Sequence, residues 1–213
     1  MKIQSYVIGM VSTNCYIIFN ESTNEALIID PPDQAPALKV KIEELELSPV
    51  AILLTHGHFD HIMAAGDLAA AFGIPVLAGE DEKTLLEDYN LNGSRMVRKN
   101  YTLSADRFLK DKEELILGGM RIKVIHTPGH TAGGVCYYFE EEKVLISGDT
   151  LFLESIGRTD LPTGDQYTLL ESIRRKLMVL PEEVFVYPGH GDKTTIGYEK
   201  IHNPYIGENN FWD

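Results

Sequence analysis

Thr55-His56-Gly57-His58-Phe59-Asp60-His61 places three imidazoles and one carboxylate between the apolar run 50–54 and the alanine-rich run 62–71. An apolar run that gives way to glycine and histidine, and then to alanine, reads as a strand, a tight turn and the start of a helix. In an extended or turning backbone His56 and His58 point the same way, because residues two apart share a face. Asp60 and His61, at the mouth of the helix, face a second point close by. Neutral imidazole and carboxylate are the donors that zinc, iron or manganese take, so the stretch reads as half of a site for two metal ions. These side chains do not complete two coordination shells, and the remainder must come from elsewhere in the chain.

Upstream, 2–8, 14–19 and 26–29 are short runs rich in Ile, Val and Tyr, separated by turn residues, and predict three early antiparallel strands. After Asp30-Pro31-Pro32, the spacing of Leu38, Ile42 and Leu45 predicts an amphipathic helix over 35–45. The strand 50–54 then delivers the histidine motif at its carboxyl end, where open α/β sheets build their sites. Downstream, a helix over 62–72 should stop at Gly73, followed by a strand over 74–78 and a short helix over 81–88. The stretch 90–106 has no periodicity and predicts a long loop, either a solvated connector or a functional one.

The second half repeats this logic. A strand over 121–125 runs into His126-Thr127-Pro128-Gly129-His130-Thr131. Runs 135–139 and 143–147 predict a hairpin whose second strand leads into Gly148-Asp149-Thr150. A helix over 165–180 carries Leu169, Leu170, Ile173, Leu177 and Leu180 as its buried stripe, and a strand over 184–187 runs into Pro188-Gly189-His190-Gly191. Three further strands therefore each end on a potential ligand: His130, Asp149 and His190. The shared order of strands then helix predicts two sheet-and-helix halves packed face to face, as one domain over 1–213.

Composition narrows the function classes. At 213 residues, 44% hydrophobic and 24% charged, the chain is expected to be a soluble domain, burying roughly 70% of its unfolded surface. No apolar run is long enough to span a membrane, and the first residues lack the apolar core of a signal peptide, so a cytoplasmic location without a membrane partner is expected. A net charge of −13 and a pI near 4.9 argue against nucleic acid as a partner, since such binding needs Lys and Arg to neutralise phosphates. Carboxylates that hold divalent cations would make the loaded protein less negative than this count. Cys15 and Cys136 sit in apolar strand-like runs and read as small buried thiols. No exposed stripe specifies an interface, and a monomer or a homodimer fits.

Together, His56-x-His58-x-Asp60-His61, His130 in Thr-Pro-Gly-His, Asp149 in Ser-Gly-Asp-Thr and His190 in Pro-Gly-His-Gly resemble the metallo-β-lactamase superfamily, specifically its glyoxalase II-like hydrolases. The resemblance covers nearly the whole chain. It implies an α/β fold, an αββα sandwich of two mixed β-sheets with helices on the outer faces. It implies His56, His58 and His130 on a first metal, Asp60, His61 and His190 on a second, and Asp149 bridging both. The cofactors implied are two divalent ions, zinc first among them, with iron or manganese suited to the same donors. The activity implied is hydrolysis of a small-molecule thioester of the S-lactoylglutathione type, with a metal-bridging hydroxide as nucleophile and Asp60 orienting it. Glyoxalase II proper carries an additional carboxy-terminal helical region that binds glutathione. The tail 192–213 is too short for one, so the chain resembles the short form.

The segment Ser155-Ile156-Gly157-Arg158-Thr159-Asp160 is similar to one in that short group and in the persulfide dioxygenases of the same superfamily. The alternative reading is therefore a mononuclear iron persulfide dioxygenase, which keeps two histidines and one aspartate on its metal. His190 discriminates, because it completes a second metal set. Arg158 is a candidate for a substrate carboxylate, with a structural pairing to Asp160 as the competing role. His126 reads as a hydrogen-bonded core residue and His202 as a solvated one, while Tyr16, Tyr187 and Tyr205 stand as core or cleft aromatics.

Overall fold

The structure, a computed structural model, describes residues 1–206. Part of the tail 192–213 thus lies outside the described residues. In chain order the first sheet is built from β1 (Lys2–Ile8), β2 (Thr13–Phe19), β3 (Glu25–Ile29), β4 (Ser48–Leu53), β5 (Val76–Gly79) and β6 (Arg107–Leu109). As expected from the short early runs, β1, β2 and β3 pair antiparallel, and β3 to β6 then pair parallel. β7 (Glu114–Leu117), β8 (Met120–His126), β9 (Val135–Phe139) and β10 (Val144–Gly148) follow, then a small hairpin of β11 (Leu151–Phe152) and β12 (Ser155–Ile156), then β13 (Phe185–Pro188) and β14 (Thr194–Thr195). The second sheet runs β14-β13-β10-β9-β8-β7 and is antiparallel except for the parallel pair β10 and β13.

The helices are α1 (Ala35–Glu44), α2 (Phe59–Ile62), α3 (Ala65–Phe72), α4 (Lys83–Leu86), α5 (Gln166–Ser172) and α6 (Ile196–His202). Successive strand residues point to opposite faces, and in β2, β3, β9 and β10 both faces are buried. Cys15, Ile17, Ala26 and Ile28 pack outward against Leu38 and Ile42 of α1 and Leu68 of α3. Their neighbours Tyr16, Ile18, Leu27 and Ile29 pack inward against Ile122, Val124, Tyr137, Phe139 and Ile146 of the other sheet. Cys136, Tyr138 and Leu145 face outward onto Leu169, Ile173 and Leu177. Burying a side chain of this size stabilises the fold by roughly 1.5–3 kcal/mol, so the three apolar layers drive the αββα stacking. Both cysteines are free and buried, as the apolar runs implied.

Four departures from the sequence reading have local causes. The helix expected over 62–72 is broken, because the amide of Ala64 donates to the Pro31 carbonyl at 3.1 Å, and α3 then starts afresh at Ala65. It stops at Gly73, whose φ of 66° is the left-handed cap that glycine permits. The helix expected over 165–180 is shorter: Asp165 caps it by accepting from the Thr168 amide, and a π-helical turn, Ile173–Leu177, ends it. The loop 90–106 holds a 3-10 turn, Ser94–Val97, tied by Asn92 and Ser94 side chains to the Tyr101 carbonyl. β6, β7, β11, β12 and β14 escape the sequence reading, since two to four residues are too short for alternation to register. Among the described residues, no helix is long and apolar enough to cross a membrane.

Candidate metal centre

Both sheets end at the same edge of the sandwich, and there the singled-out side chains meet. The motif loop leaves the end of β4 in the first sheet. His130 follows β8, Asp149 follows β10 and His190 follows β13 in the second. Because β10 and β13 are parallel neighbours with Gly148 opposite Pro188, Asp149 and His190 emerge side by side. Glycine is required between them. A Cβ on Gly189 would stand 2.1 Å from Asp149 Oδ1, and one on Gly148, at φ 50°, would stand 2.3 Å from Thr55 Oγ1.

Two clusters result. His56, His58 and His130 bring one nitrogen each within 4.8 Å of one another, and Asp60, His61 and His190 do the same with two nitrogens and an oxygen. His58 Nδ1 lies 2.9 Å from His130 Nε2. In the second cluster, His190 Nε2 lies 3.2 Å from Asp60 Oδ2 and 3.4 Å from His61 Nε2. Asp149 stands between the clusters: Oδ2 is 3.6 Å from His130 Nε2 and 3.5 Å from His190 Nε2, and Oδ1 is 3.5 Å from His61 Nε2. The first cluster is the deeper, with its histidines 2–4% exposed, whereas the His190 side chain is 27% exposed.

The residues that hold these side chains were mostly invisible in the sequence. Asp30, at the end of β3, accepts from the Thr55 amide at 2.7 Å and from Thr55 Oγ1 at 2.6 Å, and its Oδ2 takes His61 Nδ1 at 3.0 Å. That third contact makes Nδ1 the protonated nitrogen of His61 and turns Nε2 to the cluster. Asp30 also falls within reach of His56 and His61 as a third donor group. With its oxygens already committed, it serves as an orienting carboxylate. His130 Nδ1 donates to the Arg158 carbonyl at 2.7 Å, which aims its Nε2 inward in the same way. Tyr16 Oη donates to the Pro188 carbonyl at 2.6 Å, and Asn14 Nδ2 donates to the carbonyls of Pro188 and Gly191. The start of β2 thereby anchors the His190 loop across the sandwich. Asp30 had one sequence signal, a carboxylate closing an apolar strand before two prolines; Tyr16 stood out only as a strand aromatic, and Asn14 had no signal.

Burial, and then the neighbouring imidazoles, hold His56 well below its ordinary range; burial, and then His130, hold His58 down to about 3. Burial opposes charge on His61 and His190 too, but the carboxylates of Asp60 and Asp149 outweigh it and raise them to about 9 and about 10. Burial favours neutral carboxyls, yet His61 first and His190 after it pull Asp60 and Asp149 below the usual carboxylate range. His56 Nε2, His58 Nε2 and Asp149 Oδ1 are buried and meet no hydrogen-bond partner among the described residues. A buried polar atom without a partner is costly. Converging imidazoles and carboxylates with unpaired buried atoms fit two divalent cations, and the donor set alone does not select among zinc, iron and manganese.

The clusters form the floor of a cavity of about 720 Å³, with His58, Asp60, His130, Asp149 and His190 exposed to it. Its walls are largely apolar, including Met10, Val11, Phe59, Leu91, Met96, Phe152, Ile156 and Leu161. The loop 90–106 contributes Leu91, Asn92, Gly93, Met96 and Val97, and so lines the cavity instead of merely connecting strands. Arg158 also lies on the wall, but its guanidinium grips Asp160 through two bonds of 2.7 and 2.8 Å. His126 donates Nε2–H to the Ala132 carbonyl at 2.8 Å, as a hydrogen-bonded residue should, but its side chain is 25% exposed, so it lies at the strand end and not in the core. His202 is exposed and stacks on Tyr198, Tyr205 is exposed, and Tyr16 and Tyr187 meet edge to face beside the central core.

Known proteins place this geometry. The sequence profile described as the metallo-beta-lactamase superfamily matches residues 8–190. A probable metallo-hydrolase, YqgX of Bacillus subtilis, is 40% identical over 208 residues, covering 97% of this chain and 98% of its own. The hydroxyacylglutathione hydrolase GloC of Haemophilus influenzae is 39% identical over 209 residues, with coverage of 97% and 98%. Among solved structures, the BLEG-1 B3 metallo-beta-lactamase superposes with a TM-score of 0.92 at 45% identity, covering 96% of this chain and 99% of that one. TTHA1623 in a di-iron-bound form superposes at 0.85 with 35% identity, covering 95% and 100%. With motif, sandwich and profile in agreement over most of its length, the chain belongs to the metallo-beta-lactamase superfamily.

Proposed function

We propose that the protein is a two-metal hydrolase of thioesters of the S-lactoylglutathione type. In this reading His56, His58 and His130 hold one cation, Asp60, His61 and His190 hold the other, and Asp149 serves both. Two divalent cations would supply Lewis acidity for a carbonyl oxygen and a water acidic enough to act as nucleophile near neutral pH. The protein's own groups prepare the rest. Asp60 accepts from Thr13 Oγ1 at 3.2 Å and borders the cavity, so its carboxylate can accept a hydrogen bond from an attacking water and fix its direction. Asp30 and the Arg158 carbonyl keep His61 and His130 in the tautomers that turn Nε2 inward. The apolar walls would shield a bound acyl group from part of the bulk water.

The observation that carries this reading is the complete second cluster. Asp60, His61 and His190 converge as closely as the three histidines do. A mononuclear iron centre would use two histidines and one aspartate and leave that cluster without a role. The full-length similarity to a protein named hydroxyacylglutathione hydrolase supports a thioester as substrate. The similarity to the BLEG-1 B3 metallo-beta-lactamase supports a second acyl substrate, since the opening of a β-lactam is also attack on an acyl carbonyl.

The test is elemental analysis of protein purified without added metal, with hydrolysis of S-lactoylglutathione and of a chromogenic β-lactam measured on the same sample. Near two metals per chain with thioester turnover supports the proposal. β-Lactam turnover without thioester turnover moves the substrate class. One iron per chain with oxygen uptake on glutathione persulfide overturns it in favour of the dioxygenase.

A further inference from the structure

Glu82 closes the 3-10 turn Glu80–Glu82 between β5 and α4, is 1% exposed, and has no part in the chemistry above. Burying a carboxylate is costly unless donors surround it. Here they come from two separate loops. Oε1 accepts from the Gly57 amide at 2.7 Å, and Oε2 accepts from the Gly133 amide at 2.8 Å and from Thr131 Oγ1 at 3.1 Å. Gly57 lies between His56 and His58, and Thr131 directly follows His130.

We propose that Glu82 is a positioning residue for the first cluster: one buried carboxylate staples the His56–His58 loop to the His130 loop and so sets the spacing of the three imidazoles. The proposal rests on the reading of that cluster as a cation site. The chain between the two loops is long, and a small shift of either loop would separate His58 from His130. The close fit around the carboxylate supports the assignment. A Cβ on Gly133 would stand 2.1 Å from the Glu82 amide nitrogen and 2.5 Å from Oε2, and one on Gly57 would stand 2.8 Å from the Leu85 side chain. Both loops therefore rest directly on the segment 81–86, the Gly133 loop on its backbone and the Gly57 loop on the side chains of Leu85 and Leu86.

Glu199 supplies the comparison. It is equally buried and accepts from Thr194 Oγ1, Asn203 Nδ2 and the Glu154 amide, none of which lies in a loop that carries a cluster residue. A purely structural carboxylate should behave like Glu199.

The experiment removes metal from the loaded proteins with increasing chelator and counts the equivalents retained. In Glu82→Gln the amide turns an N–H toward one of the donors and frees one loop. It should release one of its two metals at about 10- to 100-fold lower chelator concentration than wild type, and the other as wild type does. Glu199→Gln should lower Tm and leave both metals as firmly held as in wild type. Should Glu82→Gln fail to fold, Thr131→Val removes a single donor and should weaken the same metal to a smaller degree. Wild-type chelator resistance in the folded variant, or equal weakening of both metals, overturns the proposal. Wild type that never binds two metals instead overturns the underlying reading of the centre.

Discussion

The loop after β4 and the ends of the second sheet supply the same centre in opposite ways. The first packs His56, His58, Asp60 and His61 into one turn. The second contributes His130, Asp149 and His190 singly, from three strand ends. In the motif loop, each side chain belongs to one cluster, and local backbone geometry does most of the placing. In the second sheet, Asp149 touches both clusters, and its place depends on the β10 and β13 register and on glycine at 148 and 189. Local density and energetic leverage are therefore separate: the crowded motif announces the site, and an isolated carboxylate ties its halves together.

That contrast is open to mutation, beginning with the largest effect. Asp149→Ala should lose both metals and lower turnover more than about 100-fold, beyond what loss of an orienting partner produces. His56→Ala should lose only one metal. Elemental analysis of the two variants side by side measures the difference, and Asp149→Ala with two metals and full activity would show that neither cluster depends on it. Gly189→Ala comes next, since its Cβ would occupy the place of Asp149 Oδ1 and push on His61. Metal content and activity should fall together while far-ultraviolet circular dichroism keeps its wild-type form.

Asp30→Asn is milder. Asp30 sits at φ 49°, a conformation that Asn tolerates, so the backbone should stay in place. The amide can no longer accept from Thr55 and His61 alike, and affinity for the metal at His61 should fall about 10- to 100-fold, read by chelator competition. Arg158→Ala should matter least. Its guanidinium is exposed and already paired with Asp160, so KM should change by no more than about fivefold with kcat unchanged. A large fall in kcat would instead show that the side chain reaches the reacting groups.

Much of this was legible in one dimension because the physics is local. Short apolar runs bounded by turn residues marked β1 to β3, β8 and β10, and helical spacing marked α1 and α5, since each needs only its neighbours in sequence to form a buried face. The candidate ligands stood out for a related reason: one dense motif follows the apolar run 50–54, and His130, Asp149 and His190 each follow a further apolar run, which is where a strand end must be. The break at Ala64 was not legible, because it depends on the Pro31 carbonyl brought close by the sheet. The cavity role of the loop 90–106 also needed the neighbours that only folding brings to it.

By itself, the sequence determined the donor set, the strand ends that carry it and the order of strands and helices in each half. These follow from residue chemistry and from the periods of strand and helix. Only the tertiary structure decided which atoms face which. It gave Asp30 to His61, the Arg158 carbonyl to His130 and Asp160 to the Arg158 side chain, and it set Glu82 between two loops. Such contacts join residues far apart in the chain, and no local propensity encodes them. They exist because a buried polar atom must find a partner, and packing alone determines which partner lies within reach.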